Sequence, residues 1–220
     1  MGTKAPYHWS SETTNGRQSP ALDPLGGGSR ISGTHRCDDE YWCHLYTPES
    51  KKTSMQWKHT SSPPPGKSKA NRFFFNCRGP LLIDFLPQGS TINSTQYCST
   101  LTKLREAIRS KRPSLLTQQV ILLHNNVRSH VSHETYTTSQ KFRWEVLEHP
   151  PYSPDLSPCD FHIFGPLKRA LQGTRFHSDD EVKEAVQDFI KNQPRSFYSN
   201  GIDLLPKRWD LCYKAHGDFF

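Results

Sequence analysis

The alternation of apolar and polar positions along the chain predicts both strands and helices. Two apolar runs, 73–75 and 81–86, flank turn-forming residues at 77–80, and this pattern predicts a β-hairpin. The run 120–123 is apolar at every position, as in a strand that is buried on both faces. Residues 144–147 read Trp-Glu-Val-Leu and predict another strand.

Apolar residues at three- and four-residue intervals predict helices between these strands. Asn93 or Ser94 can cap the first helix, and Pro113 stops it. Ser178 and Glu181 have the spacing of a capping box for the last helix. The predicted helices run from Asn93 or Ser94 to about Arg112, from His133 to Phe142, from about Asp160 to Leu171 and from Ser178 to about Gln193.

Strands and helices therefore alternate with both hairpin and crossover connections, which predicts an α/β domain of three layers. A first short strand is predicted within 34–46, where aromatic residues surround Asp38, Asp39 and Glu40. In open sheets of this class, sites form where strand ends meet helix starts. Asp39 and Asp160 both lie at such places.

Composition divides the chain into two parts. Residues 1–33 are rich in Gly, Ser, Thr and Pro and lack periodicity, so we expect a disordered N-terminal segment. Hydrophobic residues make up 33% of the chain and the mean hydropathy is -0.76, low values that agree with an unpacked portion. Residues 34–220 are then expected to form one domain.

The charge of the chain favours a polyanionic partner. The formal net charge is +7 and the pI is near 9.1, with Lys and Arg spread from Lys51 to Lys214. Nucleic acid fits this balance, although an ordinary solvated basic surface explains it equally well. Six widely spaced cysteines and no secretory signal predict reduced thiols in an intracellular protein. No apolar run is long enough to cross a bilayer, so we expect no membrane role.

Asp39 and Asp160 are the candidates for metal-dependent chemistry. Cleaving a phosphodiester with two Mg²⁺ ions needs a few converging carboxylates, because Mg²⁺ prefers oxygen ligands. Each residue also has a plain structural explanation. A carboxylate at a helix start is favoured electrostatically, which accounts for Asp160, and Asp39 fits a solvated acidic turn.

Two longer motifs resemble the mariner transposase family. Residues 124–130 read His-Asn-Asn-Val-Arg-Ser-His, where the family has His-Asp-Asn-Ala-Arg-Pro-His. Residues 152–160 read Tyr-Ser-Pro-Asp-Leu-Ser-Pro-Cys-Asp, which follows the family's Tyr-Ser-Pro-Asp-Leu-x-Pro-x-Asp. Thirty-four residues separate Asn125 from Asp160, the same spacing as between the family's second and third catalytic aspartates. The resemblance extends from about Thr34 to Phe220.

The resemblance implies a ribonuclease-H-like fold, a mixed sheet flanked by helices. It also implies a Mg²⁺ or Mn²⁺ cofactor, strand cleavage and transfer at transposon ends, and a DNA partner in the nucleus, with a homodimer possible. Asp39, Asn125 and Asp160 match the three catalytic positions, of which Asp39 and Asp160 keep the metal-binding carboxylate.

Basic residues near these motifs are candidate DNA contacts. The loop around 63–65 resembles the family's clamp and contains basic side chains on both sides, although an exposed basic loop has the same pattern. Helical lysines and arginines would contact phosphates if DNA binds, and are otherwise solvated faces. The predicted contacts are Lys58, Lys67, Lys69, Arg72, Arg128, Lys168 and Arg169.

Three departures from the family pattern predict impaired function. Asn125 replaces a carboxylate with a neutral amide, so we expect weak metal binding and little catalysis. Residues 71–75 look like a shortened strand, which predicts a damaged sheet. The family's paired helix-turn-helix modules have no counterpart in 1–33, so we expect sequence-specific binding to be lost.

Three hypotheses follow. The first is a degenerate mariner transposase catalytic domain. The second is a non-catalytic DNA-binding or dimerisation module that is derived from a transposase and needs no metal. The third is a competent enzyme in which Glu145 or Asp155 substitutes for the missing aspartate, although both lie far along the chain from Asn125.

Overall fold

Among the residues that the structure describes, five strands form a single mixed sheet. The computed structural model describes residues 35–41, 71–86, 93–117 and 120–214, with backbone alone at 35–41 and 71. The strands are β1 His35–Tyr41, β2 Asn71–Asn76, β3 Gly79–Phe85, β4 Ile121–His124 and β5 Glu145–Leu147. Their order is β3-β2-β1-β4-β5. The β1–β2 and β2–β3 pairs are antiparallel, while β1–β4 and β4–β5 are parallel.

Helices surround this sheet, and their starts agree with the sequence. Asn93 accepts a hydrogen bond from the Gln96 amide at 2.8 Å, and Ser178 accepts one from the Glu181 amide at 3.2 Å. These caps satisfy amides that have no partner within the helix. The α-helices are α1 Ser94–Lys111, α2 Ser114–Thr117, α3 His133–Phe142, α4 Gly165–Leu171, α5 Asp179–Asn192 and α6 Arg195–Lys214.

The three consecutive phenylalanines of β2 show why the domain has three layers. Side chains alternate across a strand, so Phe73 and Phe75 enter the core on one face and Phe74 enters the core on the other. The first face is covered by the segment 159–171 and by α5 and α6, and the second by α1. A strand buried on both faces can be apolar at every position. The predicted α/β class with a ribonuclease-H-like mixed sheet is confirmed.

The expected damage to the sheet is not found. β2 pairs with β1 on one side and with β3 on the other, and a register shift between Phe74 and Phe75 accommodates an irregularity in the hairpin. A bulge of this kind adds a residue to one strand and bends it without ending the pairing. The shortened segment 71–75 therefore still forms an interior strand of the sheet.

Two features of the helices differ from the sequence predictions. The helix predicted from Asp160 begins as a π-helical turn, Cys159–Phe164, which leads directly into α4. The long helix α6 was not predicted, because Gly201 and Pro206 lie inside it and break the sequence pattern. None of the helices in the described part of the chain is both long and apolar enough to span a bilayer.

Some predictions concern residues outside the described part of the chain. These are the disordered segment 1–33 and the clamp-like loop with Lys58, Lys67 and Lys69. They stay predictions.

Candidate active site

Asp39 and Asn125 lie side by side at one edge of the sheet. β1 and β4 are parallel, and Asp38 pairs with His124. Asp39 is the next residue of β1, and Asn125 is the first residue after β4. Because β1 and β4 run in the same direction, the two residues lie together near the carboxyl ends of neighbouring strands. Ligands of open α/β sheets bind at this edge.

The π-helical turn brings Asp160 to the same edge. Cys159 Sγ lies 3.9 Å from the carbonyl oxygen of Phe73, the residue that pairs with Asp39. Cys159 is buried, whereas the next residue, Asp160, is exposed. The Asp160 backbone amide donates to Ser157 Oγ at 3.4 Å. Turns of this type occur frequently at functional sites, and this one presents a carboxylate to solvent beside β1.

His149 connects the loop after β4 with Asp160. The side-chain amide of Asn126 donates to the His149 carbonyl oxygen. Burial lowers the pKa of the His149 imidazole, while the backbone of Ser153 and the carboxylates of Asp160 and Asp155 act in the opposite direction. Sequence spacing gave His149 no role, since its proximity to Asp160 arises only from the fold of the 149–160 segment.

A cluster of three rings packs beside the loop after β4. The ring centroids of Tyr97, His124 and His130 form a triangle, with 5.8 Å between Tyr97 and His124, 3.9 Å between Tyr97 and His130 and 5.1 Å between His124 and His130. Tyr97 Oη is 3.3 Å from His124 Nδ1, and His130 Nδ1 is 3.3 Å from the Asn125 carbonyl oxygen. Burial lowers the pKa of His124 to about 4 and holds that of His130 well below its usual value. Both imidazoles are therefore neutral at pH 7 and act as packing and hydrogen-bonding groups.

Arg72 is in the core, so the prediction that it contacts DNA is wrong. Its side chain has no exposed surface, its Nη1 donates to Thr100 Oγ1 at 2.8 Å, and its guanidinium lies 5.0 Å from the centroid of the Tyr97 ring. A guanidinium held this way cannot reach a phosphate in solvent. The prediction failed because Arg72 follows basic loop residues in the sequence, whereas its burial depends on partners that are distant in sequence.

The remaining predicted DNA contacts among the described residues are exposed, and the two acidic residues considered as replacements for the missing aspartate lie in different places. Arg128, Lys168 and Arg169 are exposed and stay candidate DNA contacts. Glu145 pairs with Ile121 at the beginning of β4, about 10 Å along the strand from His124, so it is at the wrong end to replace an aspartate at Asn125. Asp155 lies nearer, because its charge acts on His149 as the Asp160 charge does.

The side chains available at this edge of the sheet suit one divalent cation such as Mg²⁺ better than two. Asp39 and Asp160 are the two aspartates at this edge, and Mg²⁺ is commonly held by one or two carboxylates together with water and phosphate oxygens. Asn125 adds only a neutral oxygen, and that oxygen already accepts a bond from the Val127 amide at 3.4 Å. Among the described residues, no group of three His, Cys, Asp or Glu side chains could hold a metal.

Comparisons of the sequence with known proteins match a transposase family model and two relatives. Residues 47–118 match the family model described as transposase, partial DDE domain. The mariner Mos1 transposase of Drosophila mauritiana is 30% identical across all of this chain, which covers 66% of that protein. The human histone-lysine N-methyltransferase SETMAR is 34% identical over 83% of this chain, which covers 28% of that protein. The chain thus spans only part of both relatives.

Solved structures give the same result. The crystal structure of the catalytic domain of Mos1 mariner transposase matches with a TM-score of 0.74 and 30% identity, over 87% of this chain and 86% of that one. The Mos1 catalytic domain with raltegravir and Mn has a TM-score of 0.72 at 30% identity, over 84% of each chain. The Mos1 paired-end complex with the left transposon end has a TM-score of 0.76 at 26% identity, over 100% of this chain and 68% of that one.

Proposed function

The chain belongs to the mariner transposase family as a catalytic domain, and we propose that its site for metal-dependent DNA strand cleavage and transfer is impaired by Asn125. The observation that supports this most directly is the parallel register of β1 and β4. It sets Asp39 beside Asn125, and the contact of Cys159 with Phe73 adds Asp160 to the same edge. These are the three positions at which the family motif has aspartates.

A divalent cation would be held by Asp39 and Asp160. When bound, it would supply Lewis-acid stabilisation of charge on a phosphate oxygen. The Mos1 catalytic domain has been solved with Mn and with Mg, which supports the choice of ion. Asp160 keeps its carboxylate exposed for this purpose, and the buried Cys159 fixes the direction from which it approaches.

Asn125 limits the chemistry through its charge. Two divalent cations bring four positive charges, which two carboxylates neutralise only by half. An amide can touch a metal but cannot supply the missing charge, and losing even an outer partner of a metal ligand typically costs about 10–100-fold. We therefore propose that the site holds a first ion weakly and a second ion poorly, so catalysis is slow or absent.

Duplex DNA is the proposed substrate, and the nucleus is the proposed location. The match to a Mos1 complex with a transposon end supports DNA as the partner. The exposed Arg128, Lys168 and Arg169 are the proposed phosphate contacts near the site, and a homodimer is proposed by the same analogy.

Restoring the aspartate tests the proposal. The protein and its Asn125→Asp variant are incubated side by side with a labelled DNA duplex in Mn²⁺ and in Mg²⁺, and strand cleavage is followed on a denaturing gel. We expect cleavage from the variant that exceeds that of the unaltered protein by at least tenfold. An Asn125→Asp, Asp160→Asn double variant is the matched control and should be inactive.

The same experiment separates the rival hypotheses. Efficient cleavage by the unaltered protein would overturn the proposed impairment and favour Asp155 as a substitute acid. DNA binding without cleavage in either form would favour the non-catalytic module, for which the neutral Asn125 is the one supporting observation.

A further inference from the structure

Four basic side chains converge at the turn between β2 and β3. Arg78 is in the turn, Lys111 and Arg112 are at the end of α1, and Arg195 is the first residue of α6. Arg78, Lys111 and Arg195 are exposed, and Arg112 is half-buried. We refer to these four residues as the hairpin-end cluster.

The geometry of the hairpin-end cluster is fixed by hydrogen bonds to the backbone and to Asn76. Arg112 donates from Nη1 to Asn76 Oδ1 and from Nη2 to the Arg78 carbonyl oxygen, the latter at 3.0 Å. Lys111 Nζ donates to the Leu81 carbonyl oxygen at 2.8 Å. Gly79 turns the chain here with a φ of +118°, a conformation that favours glycine, and an added Cβ would lie at an ordinary contact distance of 3.8 Å from Arg112 Nη2.

The start of α6 closes the other side of the cluster. Tyr198, one turn after Arg195, packs over Gly79, where an added Cβ would lie 3.6 Å from Tyr198 Cδ2. The Tyr198 ring also contacts Phe75, with centroids 5.8 Å apart. The first turn of α6 is therefore seated on the hairpin, and this holds Arg195 near Arg112.

The charges in this cluster repel one another. No carboxylate of the described residues forms an ion pair with any of the four, unlike Lys103 and Lys183, which are paired with aspartates. Burial lowers the pKa of Arg112, and the neighbouring charges of Arg78 and Arg195 lower it further. Arg195 also begins a helix whose first turn contains no acidic residue, a place where a positive charge is unfavourable.

Roles in stabilising the fold explain two of the four basic residues in the hairpin-end cluster. Lys111 and Arg112 are at the C-terminal end of α1, where cations are favourable, and both bond to carbonyl or amide oxygens of the hairpin. Arg78 and Arg195 have no such explanation, because each adds repulsion to an already positive site. The repulsion between these positive charges does not stabilise the fold, and a bound polyanion would neutralise it.

We propose that the hairpin-end cluster binds the phosphate backbone of a second segment of duplex DNA. The cluster lies beyond Asn76, three residues and about 10 Å along β2 from Phe73, which pairs with Asp39. The surface is thus separate from the catalytic edge. This inference rests on the proposed function, because a transposase domain supplies the reason why duplex DNA is the polyanion.

The test is the binding of a fluorescein-labelled 30-base-pair duplex of arbitrary sequence, followed by anisotropy over a range of KCl concentrations. The variant is Arg78→Gln with Arg195→Gln, which leaves the backbone bonds of Arg78 and the side-chain bonds of Arg112 in place. The control is Lys191→Gln with Lys214→Gln, which removes two exposed lysines elsewhere on α5 and α6. Thermal unfolding is measured for all three proteins.

We expect the cluster variant to bind about tenfold or more weakly at 0.1 M salt and its log K against log[salt] slope to fall by about two. The Tm should rise by about 1–3 °C, because repulsion and an unfavourable helix charge are removed. The control should match the unaltered protein. Loss of binding together with a lower Tm would show a structural role and overturn the inference.

Other outcomes separate the inference from the proposed function. If the cluster variant binds DNA with unchanged affinity and salt slope, the hairpin-end cluster is not a DNA site while the proposed function stands. If the unaltered protein binds no duplex at all, both are overturned.

Discussion

The hydroxyl of Thr100 links the buried guanidinium of Arg72 to the buried carboxylate of Asp84. This hydroxyl accepts from Arg72 Nη1 at 2.8 Å and lies 2.6 Å from Asp84 Oδ2, to which it donates. Lys103 Nζ completes the network at 2.7 Å from Asp84 Oδ1. A buried guanidinium is costly unless its donors are satisfied, so a small hydroxyl controls whether this part of the sheet tolerates Arg72.

Replacing Thr100 by Val should therefore destabilise the domain. Val has a similar shape but neither accepts from Arg72 nor donates to Asp84, and we expect a loss of about 2 kcal/mol in the free energy of unfolding. Thr102→Val is the matched control, since its exposed hydroxyl donates to the Cys98 carbonyl oxygen of its own helix, and its effect should stay within about 0.5 kcal/mol. Urea unfolding measures both. Equal losses in the two variants would contradict the network.

At the scale of elements, α6 holds the π-helical turn that presents Asp160. His162 Nε2 is 2.7 Å from the Phe197 carbonyl oxygen, a bond in which the ring N–H donates. The Arg208 guanidinium lies 4.1 Å from the centroid of the Phe161 ring, and its Nη1 donates to the Asp155 carbonyl oxygen at 3.1 Å. The direction of Asp160 thus depends on a helix that contains no predicted metal ligand.

At Gly201, α6 packs closely against the π-helical turn. A Cβ at this position would lie 2.7 Å from His162 Cδ2, and the His162 ring cannot move without losing its bond to Phe197. Gly201→Ala should destabilise the domain by about 1 kcal/mol, because overpacking outweighs the better helix propensity of Ala.

Gly165→Ala is the control for this change, since no atom of the described residues lies within 4 Å of an added Cβ there. This variant should be neutral or slightly stabilising in thermal unfolding. A Gly201→Ala protein as stable as Gly165→Ala would refute the close contact.

At the scale of the whole molecule, the candidate site joins segments that are distant in sequence. Asp39 comes from β1, Asn125 follows β4, and Asp160 lies in the turn after β5. The unfolded chain has no such arrangement, so a cation that binds there stabilises the folded state by mass action.

Divalent cation should therefore raise the Tm. At ten times its dissociation constant, Mn²⁺ would contribute about 1.4 kcal/mol, or about 3–6 °C. We expect a larger rise for Asn125→Asp at the same concentration and none for Asp160→Asn. Asp188→Asn, an exposed change on α5, is the control and should respond as the unaltered protein does. Differential scanning fluorimetry with and without EDTA measures this, and an equal rise in Asp160→Asn would place the ion elsewhere.

The sequence by itself determined most of the local elements and indicated the candidate site. The hairpin, the caps of α1 and α5 and the buried strand β4 follow from neighbouring residues, because periodicity, capping and turn formation act over a few positions. The spacing of Asn125 and Asp160 within long motifs was enough to indicate the family. In contrast, the sequence did not predict α6, because Gly201 and Pro206 disfavour a helix and its stability comes from packing.

Only the tertiary structure decided which residues meet. The pairing of Asp39 with Phe73, and the contact of Cys159 with the same residue, depend on the order of strands in the sheet. The burial of Arg72 depends on Thr100, and the convergence of Arg78 with Arg195 depends on α6 lying over the hairpin. Burial and charge repulsion act through space between segments far apart in the chain, so no local pattern could have predicted them.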